Sequence, residues 1–181
     1  MFVVIPGELI ALLTFPGVVL HEISHRFFCD IQNIDVYAIN YFQPFSKKAG
    51  HVIYRPTNNF FHSFFIAIGP LIINSLVCIL LTFPAGCNAY LDTDFVDYSS
   101  SFVSLAYLIM QWIGYSIGFH AMPSNKDMSG LKTMVHSWWA RTILGNFTGI
   151  IGLFNITLIG PLLRILFAYG LSMVLPRLFL G

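Results

Sequence analysis

Residues 60–83 read FFHSFFIAIGPLIINSLVCILLTF, a run with no Asp, Glu, Lys or Arg. A helix needs about 20 apolar residues to cross the hydrocarbon core of a bilayer. This run alone therefore predicts a membrane-spanning helix. Upstream, residues 2–20 qualify as another despite Pro6, Gly7 and Glu8, and that helix is expected to continue to about Phe28. Downstream, 99–121 is a third. The last apolar stretch, 142–180, is too long for one crossing, and Gly160-Pro161 offers a turn in its middle. It predicts two short spans, or one span and a re-entrant piece. The expected fold is thus all-α and polytopic, with four or five transmembrane helices in a single domain covering residues 1–181.

Composition agrees with this. Only 9% of the 181 residues are charged, 56% are hydrophobic, and mean hydropathy is +0.75. Soluble domains carry about 25% charged residues, so this chain has too few to cover a water-facing surface. A soluble monomer is excluded. The net charge of +1, with no basic block, leaves nucleic acid without an electrostatic footprint. Cys29, Cys78 and Cys87 are odd in number and widely spaced, so no disulfide framework is expected. No cleaved signal peptide is expected either, because no Lys or Arg precedes the first apolar run.

The loops set an expected orientation. Arg26, Lys47, Lys48 and Arg55 lie between the first two spans, and Lys126, Lys132 and Arg141 follow the third. The loop at 84–98 has no Lys or Arg but carries Asp92, Asp94 and Asp97. The positive-inside rule places the two basic loops in the cytoplasm. An integral protein of the cell membrane is the expected setting. Within the first basic loop, 34–42 (IDVYAINYF) and 51–54 (HVIY) flank a polar turn, which predicts a β-hairpin at the membrane surface. Trp138, Trp139 and Arg141 read as interfacial anchors.

Chemistry concentrates at the cytoplasmic end of the first span, where residues 21–25 are His-Glu-Ile-Ser-His. Side chains four apart on a helix are neighbours, so His21 and His25 can grip one Zn²⁺. Glu22, a step around the helix, can act on a water as general base. Glu22 is one of two glutamates in the chain, and ionisable groups inside membrane helices usually mark function.

Catalytic zinc takes three protein ligands. Cys29 continues the histidine stripe, but eight residues of helix put it about 12 Å from His21, too far to share an ion. The third ligand must come from elsewhere on the same side. Asp127 is the best carboxylate, His120 is the rival, and Asp30 and Asp35 are alternatives closer in sequence. Asn74, a lone amide within the second span, has two readings: a hydrogen-bonding group for a peptide or a developing oxyanion, or a bond between helices. Gly69 and Pro70 allow close helix approach and free backbone carbonyls.

HEISH on an early helix, GPLIIN on the next and PSNKD after the one following resemble, in that order, the site-2 protease family of intramembrane zinc metallopeptidases. The likeness covers roughly residues 8–130, with the helices of 142–180 beyond it. It implies His21, His25 and Asp127 as zinc ligands, Glu22 as catalytic base, Asn74 as an active-site polar residue, and a β-hairpin beside the site. The family's aspartate is usually followed by glycine, whereas Met128 follows Asp127 here and the glycine is Gly130.

The expected function is zinc-dependent endopeptidase activity on membrane-embedded or membrane-adjacent proteins. The alternative is a non-catalytic metal-binding membrane protein, either a carrier or an inactive protease-like scaffold. A carrier lines a path across the bilayer with polar groups, whereas here they gather at one end, with Glu8 about 21 Å from Glu22 by helical rise.

Overall fold

A computed structural model describes residues 7–46, 49–91, 101–134, 138–156 and 159–180. The expected loop charges Lys47, Lys48, Asp92, Asp94 and Asp97 lie outside these residues, as do the side chains of Lys132, Trp138, Trp139 and Arg141. Helices α1 (Gly7–Leu13) and α2 (Phe15–Ile31) lead into strands β1 (Val36–Asn40) and β2 (His51–Tyr54). Then come α3 (Phe60–Leu91), α4 (Ser101–Phe119), α5 (Asn125–Met134), α6 (Trp138–Leu153), α7 (Gly160–Ser172) and α8 (Val174–Leu180).

Among the described residues, three stretches are long and apolar enough to cross a membrane: Phe60–Ala89, Ser101–Phe119 and Gly160–Phe179. A fourth counts if α1 and α2 form one span, although they meet at an 88° bend. Against the expected four or five spans, the described residues thus offer three candidates, or four with the bent pair. The last apolar stretch contributes one of them, because α6 has 16 residues and a rise of about 24 Å, short of the bilayer core. The first expected span is bent rather than continuous. Pro16 stands in the opening turn of α2, where it lacks an N–H and disfavours helical geometry at Phe15. Side chains of α4 cover the main chain at this break: Trp112 Nε1–H donates to Leu13 O at 3.0 Å, and the Ser116 hydroxyl donates to Thr14 O at 2.8 Å.

Helices α2, α3 and α4 pack on one another, and α7 closes against α3 and α4. Small residues set the approach. A Cβ on Gly17 would collide with the main chain of Ser116, and one on Gly69 would meet the Phe28 ring at 2.5 Å. Outward faces stay apolar, with Leu80 67% and Leu108 62% exposed, whereas Asn74 and Ser24 inside are fully buried. That arrangement suits a lipid surround.

The expected hairpin is present. Strands β1 and β2 pair antiparallel, with Asn40 opposite His51 and Val36 opposite Tyr54, and an irregularity falls between Val36 and Ala38. Asn33, in the left-handed region at φ 52°, ends α2 and turns the chain toward the hairpin. The main-chain bonds Ile34 N–H to Cys29 O (2.9 Å) and Asn33 N–H to Asp30 O (3.1 Å) close this turn as a Schellman motif. Cys29, Ile34 and Ile66 form the buried contact that seats the hairpin on α2 and α3.

Candidate metal centre

One helical turn separates His21 from His25, and their Nε2 atoms face each other at 3.2 Å. Each ring is held from behind by a main-chain carbonyl. His21 Nδ1 lies 2.7 Å from His120 O, and His25 Nδ1 lies 2.8 Å from Ile66 O. Carbonyls only accept, so each Nδ1 carries the hydrogen, and a neutral ring then presents an Nε2 lone pair. This backbone anchoring is how metal-binding imidazoles are usually oriented.

Asp127 completes the group. Its Oδ2 is 3.8 Å from His21 Nε2 and 3.6 Å from His25 Nε2. A point equidistant from the three atoms lies about 2 Å from each, the length of a zinc bond to nitrogen or oxygen. His21, His25 and Asp127 can therefore hold a metal ion. Burial opposes ionisation of Asp127, but in the absence of an ion hydrogen bonds and charge from His21 and His25 carrying a proton on Nε2 outweigh it and hold the carboxyl well below the usual carboxylate range. A bound cation would take the place of those protons.

Asp127 reaches this point because of its place in α5. The Asp127 N–H donates to Ser124 Oγ at 3.2 Å, and the Ser124 N–H donates to Asp127 Oδ2 at 2.7 Å. This reciprocal pair is a capping box that starts the helix and fixes the carboxylate. Met128 and Leu131 bury the other side of α5 against Ala67 and Ile151. Ser124 was not read from the sequence, although Ser-x-x-Asp was its signal.

The rival ligand is turned elsewhere. His120 Nε2 lies 2.7 Å from Thr14 Oγ1, whose own hydrogen goes to Ile10 O at 2.6 Å. His120 is thus the donor in that contact, and only its carbonyl faces the centre. Asp30 and Asp35 pair with Arg26 (2.7 Å) and Arg55 (2.8 Å), and Cys29 is buried in the apolar contact under the hairpin.

A cleft of about 280 Å³ opens over the three donors, lined also by Glu22, Gly50, His51, Tyr54 and Lys126. Glu22 is 8% exposed and stands against the hairpin: a Cβ on Gly50 would come within 2.7 Å of its Cγ and 3.0 Å of its Oε1. His51 shares this cleft because the strand register, with Asn40 opposite it, brings it there. Asn74 does not line it. Its Oδ1 accepts from Ser24 Oγ at 3.1 Å, and its Nδ2 faces Ile117 O and His120 O at 3.4 Å and Gly17 O at 3.5 Å. Of its two readings, these contacts are those of a bond between helices. Through His120 O, Asn74 supports the carbonyl that orients His21.

No protein-family model matches the chain, and no curated protein or solved structure is significantly similar to it. What remains to point to a function is the three-donor group and the apolar helical frame that holds it.

Proposed function

We propose that the chain is a zinc-dependent endopeptidase of membranes, with the cleft beneath the hairpin as its active site. One observation carries the reading: three electron-pair donors on separate anchors converge at 3.2–3.8 Å beside a buried glutamate. Such a set is stable around a cation, and two imidazoles with one carboxylate suit zinc. The order of HEISH, GPLIIN and PSNKD, which resembles the site-2 proteases, supports the same assignment.

Bound there, zinc supplies Lewis-acid polarisation of a peptide carbonyl. Glu22 takes a proton from the attacking water and returns it to the amine nitrogen as the C–N bond breaks. The hairpin holds the substrate extended, because a helix hides its carbonyls, and pairing at a strand edge exposes them. Lys126, in the cleft, adds a cation for a polar substrate group. The Lys and Arg bias of the loops supports a cytoplasmic site in a multi-pass protein of the cell membrane.

The test is cleavage of a membrane-anchored peptide library by the purified protein in lipid nanodiscs. Activity lost on chelation and regained with zinc supports the proposal. Cleavage that persists without metal refutes it, and zinc binding without cleavage leaves the scaffold reading.

A further inference from the structure

Away from the metal centre, a second cleft of about 250 Å³ shares no lining residue with the first. Arg164 projects into it from α7, inside the apolar stretch Gly160–Phe179. Its guanidinium is fixed rather than free. Nε donates to Phe154 O at 2.9 Å, one terminal nitrogen donates to Asn155 Oδ1 at 2.9 Å, and the Phe119 ring lies 5.6 Å from Cζ. Asn155 is held in turn by Pro123 O and Ile151 O. Among the described residues, no carboxylate pairs with Arg164. A cation within an apolar helix is costly without a counter-charge, and two bonds leave the rest of its five-donor fork to the cleft.

The cleft adjoins an apolar groove of about 350 Å³, the two sharing the lining residues Ile10, Phe119 and Pro161. Leu13, Trp112 and Ile165 form the groove's walls, and its outer rim is open, with Leu13 59% and Ile165 57% exposed. A fixed cation at the head of a carbon-lined groove has the charge and shape complement of an anionic amphiphile. We propose that this site binds an acidic phospholipid, its phosphate on Arg164 and an acyl chain in the groove beside Trp112. A peptide strand fits less well, because its N–H groups would find few acceptors along the apolar walls. The inference rests on the membrane setting proposed above but not on the proposed chemistry.

The test uses the full chain in detergent micelles, with Trp138→Phe and Trp139→Phe leaving Trp112 as sole tryptophan. Phosphatidylglycerol with brominated acyl chains is titrated against the equivalent phosphatidylcholine, and Trp112 quenching is read without zinc or substrate. Phosphatidylglycerol is expected to bind about tenfold or more tightly, and Arg164→Gln to remove that preference, whereas Arg164→Lys keeps part of it. Ile165→Phe, which crowds the groove but leaves the cation and the single tryptophan, is expected to weaken both lipids and guards against a misfolded Arg164 variant. Equal quenching by the two lipids overturns the proposal. So does full displacement by soluble glycerophosphate or by an apolar peptide with a free C-terminal carboxylate, which names another occupant. Because no arm depends on hydrolysis, its failure is distinguishable from failure of the protease reading.

Discussion

His21 Nδ1 is hydrogen-bonded to the main-chain oxygen of His120 at 2.7 Å, while the His120 ring turns away to Thr14. A histidine that rivals Asp127 as a ligand in a linear reading thus orients His21 through its backbone. Substituting its side chain leaves that carbonyl in place.

Asp127 and His120 therefore separate in a zinc titration. Asp127→Ala removes a donor and the negative charge that offsets a divalent ion in an apolar surround, so zinc affinity is expected to fall a hundredfold or more, on the order of 3 kcal/mol. His120→Ala is expected to change it by less than about tenfold, with lower thermal stability from the lost Thr14 contact. The opposite order would make His120 the ligand.

The difference between these residues shows where sequence reading stops. Spacing of four on a helix was enough to pair His21 with His25, since helical geometry is local. Two runs of β-branched and aromatic residues around a polar turn likewise gave the hairpin within two residues of each strand end. Choosing Asp127 over His120 required knowing which way a ring faces at a helix end, and that depends on Thr14, over a hundred residues away. The bend at Thr14 was hidden for a similar reason. Pro16 gave a local cue, but Trp112 and Ser116 from α4 satisfy the break, and their approach is tertiary. Asn74 was legible as a polar group in an apolar helix, yet nothing local says whether such an amide faces substrate or neighbouring carbonyls.

Gly50 is the contact between the hairpin and the proposed base. An added methyl must displace Glu22 or move against Tyr41 O, which would lie 3.0 Å away. Gly50→Ala is expected to lower kcat tenfold or more, because small misplacements of a catalytic group are costly. Zinc affinity should change little, since no donor atom is touched. A variant with unchanged kcat would place Glu22 outside the reaction.

Orientation is open to labelling, because the native cysteines 29, 78 and 87 are buried and give little background. Cysteines introduced at positions 47 and 132 should react with an impermeant reagent applied from the cytoplasmic face, and one at 92 should not. Reaction of position 92 from that face would reverse the topology and put the metal centre on the opposite side.

In the proposed mechanism Glu22 moves the proton while His21, His25 and Asp127 hold the metal. Glu22→Gln keeps the shape of the side chain and removes its basicity. The decisive measurement is zinc content and peptide cleavage on the same preparation of this variant and the wild-type protein. Near-equal zinc is expected in both, with cleavage by the variant reduced by about a hundredfold or more. Cleavage at the wild-type rate with zinc retained would contradict it.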